Sequence, residues 1–475
     1  MTYSSKPCGN YGPPILNRRD MLQRAGQGFG LAALASLIGE DQARAATSGA
    51  VGTVKPNTKA KAKSVIMLFM GGGPSQVDTW DPKQELAKLH GQDVPESIAE
   101  TVPRIARSPL HNLFASPFKF QKYGNCGMEC SELFHHTAGR ADDICLIRSM
   151  KHNSPIHAPA EYISLTGSGV GNRPSLGAWV TYGLGSINRN LPSFVVFTSD
   201  GTGRPPGWSS GFLPARHQGT VVNSSGVPNL EMPAGYTLEK RQHQLDLLSD
   251  LNEQHLARHG GNSELEARIR AYELAFGMQM SAPEAFDLSQ ETADTKKLYG
   301  LERDTSREFG THCLLARRLV ERGVRFIQLR NGNWDAHGKL AENHKARAAS
   351  TDQPIAAMLT DLKRRGLLDE TLVVWTAEFG RTPTAQGNGE GAGRDHSPSA
   401  YCTWLAGGGV RGGQIIGQSD PVGYAAIERP VSPNNLHATL LHALGIDQHD
   451  LFFEFHNRRE LPTVTATEMI PEVFG

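Results

Sequence analysis

A short apolar run that ends at a carboxylate and a glycine-rich loop constrains the fold of this chain more than any other feature. Residues Thr371–Thr376 are apolar, β-branched or aromatic, which is typical of a buried strand. Glu378 follows directly, and a polar loop with several glycines then leads to Arg394 and His396. Open α/β folds bind ligands at the carboxyl ends of their strands, where such loops lie. The stretch therefore predicts an α/β fold with a functional site at this strand end.

The same pattern recurs along the chain, which argues against the alternative that the loop is only a solvated, charged surface segment. Further apolar strands are predicted at Ser64–Met70, Ile144–Ser149, Phe194–Thr198, Arg325–Arg330 and Tyr401–Leu405. Helical patterns separate most of them, including Leu238–Leu274 and Pro354–Arg365, and polar residues follow several of them. A hairpin is predicted at Gly407–Gln418 and an irregular tail from Phe452. This alternation predicts one α/β domain, residues 64–475, with a largely parallel central sheet.

The N-terminal residues 1–45 have the features of an export signal. Asn17–Gln23 resembles a twin-arginine motif, a weakly apolar segment follows at Gly28–Ile38, and Ala43–Ala45 offers small residues for cleavage. The apolar segment is too short to span a bilayer, so cleavage is favoured over a retained anchor or an amphipathic helix. Residues 46–63 are small and basic, as in a linker. We predict a periplasmic or secreted protein without a transmembrane anchor after cleavage.

Charge and cysteine content narrow the choice of partners and of metal sites. The chain has 48 Lys and Arg residues against 48 Asp and Glu residues, which argues against nucleic acid as a partner. Cys126 and Cys130 could pair in an oxidising compartment, and their spacing does not match a zinc ribbon. The sequence does not define the oligomeric state.

Oxygen and imidazole groups collect after the predicted strands, although any one of them alone would more often be a turn residue or a helix cap. Carboxylates with histidines suit a divalent ion such as Zn²⁺, Mn²⁺, Mg²⁺ or Ca²⁺. The predicted metal ligands are Asp78, Asp335, His337, Glu378 and His396. His157, at the start of a predicted helix, would face a substrate anion as nucleophile or base. Arg381 and Arg394 would clamp the remaining oxygens.

Seven motifs together resemble the secreted bacterial family catalogued as domain of unknown function 1501, and they cover nearly all of residues 64–450. They read MLFMGGGPSQVDTWDPK, RSMKHNSPIHAPAEYISLTG, WDAHG, TAEFGRTP, GRDHSP, LAGGGVRGGQIIGQSD and NNLHATLLHALGI. That family is similar in turn to the alkaline phosphatase and sulfatase superfamily. The resemblance implies a doubly wound sheet with helices on both faces and a metal site at the strand ends.

The sulfatase nucleophile motif is only partly kept. Sulfatases carry Cys/Ser-x-Pro-Ser-Arg after a strand and Leu-Thr-Gly after a short helix. This chain keeps Pro159 and Leu165–Gly167, but His157 stands at the position of the nucleophile and Glu161 at that of the arginine. The resemblance therefore implies that the usual formylglycine, serine or threonine nucleophile is missing.

The metal motifs of the superfamily are also altered. Its Thr-x-Asp-His-Gly motif matches Thr376–Gly380, where Glu378 replaces the aspartate and Phe379 replaces the ligand histidine. Glycines stand where the first strand would supply an aspartate, and Asp78 follows several residues later. The resemblance implies three further metal ligands: Asp335, His337 and His396. A centre with one metal ion fits these departures better than a two-metal phosphatase site.

Two functions stay open at this point. The first is a metal-dependent hydrolase of phosphate or sulfate esters, with an anionic small molecule or a carbohydrate ester as substrate. The second is a non-catalytic secreted binding or scaffold protein that kept the fold and lost the nucleophile. The retained metal-ligand types favour the first function, whereas the missing nucleophile favours the second. Fold alone does not decide between them.

Overall fold

The computed structural model describes most of the chain downstream of the predicted linker. The described residues are 60–100, 102, 109–188, 190–198, 207–224, 240, 243–244, 246–248, 250–251, 254, 283–465 and 467–475. The predicted signal segment, residues 1–45, and most of the predicted helical stretch 238–274 lie outside them. Within the described part of the chain, no helix combines the length and apolar character needed to cross a bilayer.

The strands and helices are numbered in chain order. The strands are β1 (Ser64–Met70), β2 (Phe120–Tyr123), β3 (Met128–Ser131), β4 (Ile144–Met150), β5 (Phe194–Thr198), β6 (Thr220–Val222), β7 (Phe326–Asn331), β8 (Thr371–Thr376), β9 (Gly380–Arg381), β10 (His396–Ser397), β11 (Tyr401–Ala406), β12 (Gln414–Ile416), β13 (Gln418–Ser419), β14 (Ala426–Glu428), β15 (Phe453–Phe455) and β16 (Arg458–Glu460). The α-helices with both ends described are α1 (Gln76–Thr79), α2 (Gln84–Lys88), α3 (Glu96–Ala99), α4 (His135–Ala138), α5 (His157–Thr166), α6 (Leu176–Leu184), α7 (Ala293–Leu298), α8 (Asp304–Glu321), α9 (Leu340–Arg364) and α10 (Pro433–Ala443).

Eight of these strands form one central sheet, in the order β12-β4-β11-β8-β1-β7-β5-β6. β1 pairs in parallel with both β7 and β8, and β5 pairs in parallel with β6 and β7. β11 runs antiparallel to both of its neighbours, β4 and β8, so β4 and β8 point the same way. The predicted largely parallel sheet is confirmed. Its parallel strands bring their carboxyl ends to one edge.

Helices cover both faces of this sheet, as a doubly wound fold requires. Alternate residues of β1 point to opposite faces. Ile66 and Leu68 belong to a buried cluster that includes residues of α8 and α9, whereas Val65 and Met67 belong to a second cluster with residues of α6 and α10. A strand buried on both faces explains why β1 reads as a continuous apolar run.

The structure corrects four local expectations. The predicted hairpin at 407–418 does not form, because β12 pairs in parallel with β4 at the sheet edge. The helix expected from Pro354 to Arg365 begins at Leu340 and contains Pro354. A proline inside a helix costs about 3 kcal/mol, but Leu340 and Ala348 lie in the same buried cluster as Met358. Burial of these helix residues before Pro354 offsets the free-energy cost of the proline.

The third and fourth corrections concern the cysteine pair and the C-terminal segment. Cys126 is exposed beyond β2, whereas Cys130 is buried in β3 with its Sγ 3.6 Å from the Thr79 carbonyl oxygen. Both thiols are free, so the pairing considered for them does not form. The segment from Phe452, expected to be irregular, contains the two-stranded hairpin β15–β16.

Candidate metal centre

Four loops at the carboxyl edge of the sheet bring the predicted site residues together. Asp335 and His337 follow β7, Glu378 follows β8, His157 begins α5 after β4, and His396 begins β10. β10 pairs with β9, which follows Glu378 directly, so the late histidine is carried back over the strand ends. The sequence placed each of these residues after a strand, and the parallel sheet places them at one edge.

Three side-chain atoms form a compact triangle at this edge. Asp335 Oδ1 lies 3.1 Å from His337 Nε2 and 3.2 Å from His396 Nε2. The two Nε2 atoms are 2.9 Å apart. Ligand atoms bound to a tetrahedral zinc ion at about 2.0–2.1 Å are about 3.3 Å from one another. The triangle therefore has nearly the size of three ligand positions around one ion.

The partners of the two imidazoles assign their tautomers. His396 Nδ1 lies 2.7 Å from the Pro155 carbonyl oxygen, and His337 Nδ1 lies 2.6 Å from Gln386 Oε1. Both oxygens accept hydrogen bonds, so each Nδ1 carries a proton, and in a neutral imidazole each Nε2 then carries a lone pair. Two lone pairs facing each other at this distance repel unless a cation lies between them.

These contacts fit a metal centre. Histidine ligands in proteins typically donate their other ring N–H to a carbonyl or carboxylate oxygen, as both imidazoles do here. The carboxylate of Asp395 is also close, with its Oδ1 3.8 Å from His337 Nδ1. The Asp335 side chain is 39% exposed, so the triangle is open to solvent on one side. Three protein ligands with an open position are typical of catalytic rather than structural zinc sites.

His157 lies beside the triangle and is oriented by Glu378. Its Nδ1 is 2.8 Å from Glu378 Oε1, and its Nε2 is 3.2 Å from Asp335 Oδ2. The Gly72 N–H donates to the same Glu378 oxygen at 2.7 Å. Glu378 was predicted as a metal ligand, but this oxygen contacts His157 and the Gly72 N–H, not the triangle. Glu378 Oε1 thus orients His157, whereas its buried Oε2 has no hydrogen-bond partner among the described residues.

Neighbouring charged groups shift the pKa values of His157 and Asp335. Burial lowers the pKa of His157, but hydrogen bonds to Asp335 and Glu378 outweigh it and raise the pKa to about 9. Burial raises the pKa of Asp335, but the neighbouring His157, His396 and Arg381 side chains outweigh it and bring the pKa well below its usual range. Asp335 therefore stays ionised throughout the physiological range, as a metal ligand must.

The ring of Phe379 packs against the imidazoles of His396 and His157. Its ring centroid lies 4.6 Å from that of His396, with the rings nearly stacked, and 4.9 Å from that of His157. The sequence identified Phe379 only as a replaced ligand and gave no signal for this packing role. Contacts of this length fix the ring planes of both histidines.

Arg381 is committed to the protein interior. It is fully buried, and its Nε donates to the Gly73 carbonyl oxygen at 2.9 Å. Nη1 reaches the Arg394 carbonyl oxygen at 3.2 Å, and Nη2 donates to Asp335 Oδ1 at 2.6 Å and to the Gly72 carbonyl oxygen. These partners occupy all three guanidinium nitrogens. The predicted anion clamp is therefore revised: Arg381 fixes Asp335 against the loop after β1.

Asp78 and Arg394 form a separate buried ion pair. Arg394 Nε and Nη2 lie 2.7 Å and 3.2 Å from the two Asp78 oxygens, and both side chains have 0% exposure. Arg394 Nη2 also donates to the Phe114 carbonyl oxygen at 2.8 Å. Asp78 was predicted as a metal ligand and Arg394 as an anion clamp. Both carboxylate oxygens and the guanidinium instead serve each other, which leaves neither group facing the triangle.

Two further histidines, in loops and helices near the centre, have structural partners. His344 Nε2 accepts the Ser75 N–H at 3.0 Å, and burial lowers the pKa of His344 to about 4. His152 Nδ1 accepts the Ser154 N–H at 3.1 Å, and burial lowers its pKa to about 4 as well. Both imidazoles are therefore neutral, and they brace the loops around the centre.

The chain belongs to the family described as "Protein of unknown function (DUF1501)", which matches it over residues 62–474. This confirms the family to which the sequence motifs pointed. No curated protein matches the chain.

Solved structures that resemble the chain come from the superfamily named above. The alkaline phosphatase from the Antarctic bacterium TAB5 is 12% identical with a TM-score of 0.33, over 81% of this chain and 98% of that one. The PsFucS1 sulfatase from Pseudoalteromonas sp. is 12% identical with a TM-score of 0.32, over 88% and 74%. The phosphonate monoester hydrolase SpPMH from Silicibacter pomeroyi is 11% identical with a TM-score of 0.34, over 86% and 76%. With values this low, the fold class rests on the sheet itself.

Proposed function

We propose that this chain is an exported, metal-dependent hydrolase that cleaves phosphate or sulfate esters of a small anionic molecule or a carbohydrate. The observation that carries the proposal is the triangle of Asp335 Oδ1, His337 Nε2 and His396 Nε2, because these three potential ligand atoms lie within 3.2 Å of one another. These residues would hold one divalent cation, and the imidazoles favour Zn²⁺ or Mn²⁺ over Mg²⁺ or Ca²⁺. Such an ion lowers the pKa of bound water and neutralises an ester oxygen.

His157 is the proposed acid or base, or the nucleophile, of this reaction. Its side chain is 31% exposed, and Nε2 lies 3.2 Å from Asp335 Oδ2, beside the triangle. Because Glu378 holds the Nδ1 proton, Nε2 is the atom that takes up or releases a proton. His157 also stands at the first turn of α5, a helix of 10 residues whose N-terminus attracts an anion.

Metal content and hydrolysis together test the proposal. The purified mature protein is stripped with chelator, reloaded with Zn²⁺ or Mn²⁺, and assayed with 4-nitrophenyl phosphate, bis(4-nitrophenyl) phosphate and 4-nitrophenyl sulfate. We expect one ion at this centre, its loss in His396→Ala, and its retention in His157→Gln with lost turnover. His449→Gln, at an exposed histidine outside the centre, is the matched control. If His396→Ala binds as much metal as the wild type, the centre does not exist.

A non-catalytic binding protein is the second candidate function. It is favoured by His157 standing at the position of the sulfatase nucleophile and by the internal commitment of Arg381 and Arg394. Metal binding without hydrolysis of any of the three esters would support it. In that case the same centre would retain an anionic ligand, which equilibrium binding of inorganic phosphate or sulfate would detect.

Export completes the proposal, with residues 64–475 as the single exported domain. It is supported by the pair Arg18-Arg19, the mild apolar segment and Ala43–Ala45. Replacing both arginines by lysine should hold the protein in the cytoplasm. Continued export through the general secretory route would contradict this part of the proposal, and it would leave the hydrolase assignment untouched.

A further inference from the structure

A second cluster of imidazole and carboxylate groups lies apart from the centre described above. It consists of His135, His136 and Asp352, whose ligand atoms all lie within 4.8 Å of one another. His135 Nδ1 is 3.6 Å from Asp352 Oδ2, and the two imidazole centroids are 4.0 Å apart. Two nitrogen ligands and one oxygen ligand are thus gathered from segments more than 200 residues apart in sequence.

The position of Asp352 in α9 separates this cluster from the first centre. α9 begins at Leu340, directly after the loop that carries Asp335 and His337. Asp352 lies more than three turns further along the helix, or roughly 18 Å at 1.5 Å per residue. The two clusters therefore cannot share an ion.

Asp352 is a buried carboxylate that lacks a fixed cationic partner. Its residue is 3% exposed, and its oxygens accept N–H groups from His136 at 2.9 Å and Thr137 at 2.7 Å. Among the described residues, its only ion-pair partner is His135, and no lysine or arginine pairs with it. A neighbouring positive charge stabilises the ionised form of a buried carboxyl group. The two backbone N–H groups supply only part of it.

The histidines of the cluster are open to solvent, unlike Asp352. The His135 side chain is 57% exposed. His136 lines a cavity of about 680 Å³ that is also bordered by Arg140, Lys297 and Gln353. This space admits water molecules or a small ligand beside an ion. The cluster thus combines a buried anchoring carboxylate with two accessible imidazoles.

We propose that His135, His136 and Asp352 form a second divalent-metal site, selective for borderline ions such as Zn²⁺. Two imidazoles and one carboxylate match the three protein ligands that Zn²⁺ accepts, with the fourth position left to water from the cavity. The ion supplies the positive charge that Asp352 lacks. His135 Nδ1, now 3.2 Å from the Glu132 carbonyl oxygen, exchanges that weak contact for the metal.

Counting zinc ions in matched variants tests this site independently of the first. The background is His396→Ala, which removes the proposed first centre. Metal-stripped protein is dialysed against Zn²⁺, and bound zinc is measured per chain. We expect one ion in His396→Ala, none after adding His135→Gln and His136→Gln, and one after adding His111→Gln, an exposed histidine outside both clusters.

Affinity and activity readouts separate this site from unspecific surface binding. In the otherwise wild-type chain, His135→Gln with His136→Gln should leave ester hydrolysis unchanged. His136→Gln alone should weaken zinc binding by more than about tenfold, since even outer-shell changes cost that much. Urea unfolding in chelator should not change, because both side chains are exposed. Equal zinc content, or equal affinity, with and without the two histidines would overturn the proposal.

Discussion

The buried pair of Asp78 and Arg394 gives the sharpest test of the stability of this site. The pair joins α1, which follows the first strand, to the loop that carries His396 two residues later. The test consists of Asp78→Asn, Arg394→Met and the double variant that carries both changes. Each single change leaves one charge buried without its partner, whereas the double variant removes both charges.

The structure sets the expected size of these effects. Both side chains have 0% exposure and the contact is bidentate, at 2.7 Å and 3.2 Å. Breaking such a pair from one side costs about 3–5 kcal/mol of unfolding free energy. Arg394→Met should cost more than Asp78→Asn, because it also removes the bond to the Phe114 carbonyl oxygen. The double variant should lie below the sum of the two by about 1–3 kcal/mol.

The pair also has a defined pH dependence. Burial raises the pKa of Asp78, but the Arg394 charge and its hydrogen bonds outweigh this and bring it below the usual 3.8. A carboxyl group whose pKa is lower in the folded state stabilises the fold above about pH 4 and loses that contribution as the pH falls further. Arg394→Met should therefore lose much of its disadvantage in strong acid.

Urea unfolding in chelator measures these free energies without a contribution from bound metal. The control is Glu370→Gln, which breaks the exposed pair with Lys63 at a similar 2.7 Å but at 63% and 54% exposure. Exposed pairs contribute about 0–1 kcal/mol. The pair does not hold the loop if the Asp78 and Arg394 variants lose no more unfolding free energy than this control. The same conclusion follows if the losses of the two single variants sum to that of the double variant.

Two further predictions concern neighbours of the centre. Burial lowers the pKa of His437 to about 4 despite its 2.8 Å bond to the Ser164 carbonyl oxygen, so its stabilising effect is complete above pH 6.5 and lost as the pH falls through 4. The shift corresponds to about 3 kcal/mol, and urea unfolding should show the gap between wild type and His437→Gln narrowing by that amount from pH 7 to pH 4; a constant gap would contradict it. A Cβ on Gly72 would lie 2.5 Å from the Asp335 nitrogen, so Gly72→Ala should displace Asp335 and weaken metal binding at least about tenfold. Gly91→Ala, which shares a positive φ but meets nothing within 4 Å, should bind metal normally.

The sequence predicted the sheet well because its strands carry local signals. β1 and β8 are buried on both faces, so they read as unbroken apolar runs, and their predicted bounds agree with the structure. The long helix was only partly predicted because Pro354 resembles a helix start, and only the packing of Leu340 reveals the earlier turns. Local patterns therefore give strands and most helices, whereas tertiary burial decides where α9 begins.

The sequence predicted which residue types form the site better than it predicted the contacts between them. Loop positions after β7 pointed to Asp335 and His337, and the structure places both in the triangle with His396. No sequence pattern indicates that Asp78 meets Arg394, 316 positions away, or that the Pro155 carbonyl oxygen holds His396. Such pairings depend on how loops cross the sheet edge. The cluster at Asp352 was missed for the same reason.

The chain departs from the superfamily motif at Glu378 and Phe379, and both replacements bear on how many metal ions the proposed centre would hold. Phe379 stands where the resemblance implies a ligand histidine, and its ring packs against His396 and His157. Glu378 stands where it implies a ligand aspartate, and its Oε1 contacts His157 Nδ1 and the Gly72 N–H. Both changes turn ligand positions into supports for the remaining imidazoles. A second ion at this edge would lack the ligand that Phe379 replaces, which supports the proposal of a centre for one ion with His157 as an oriented neighbour.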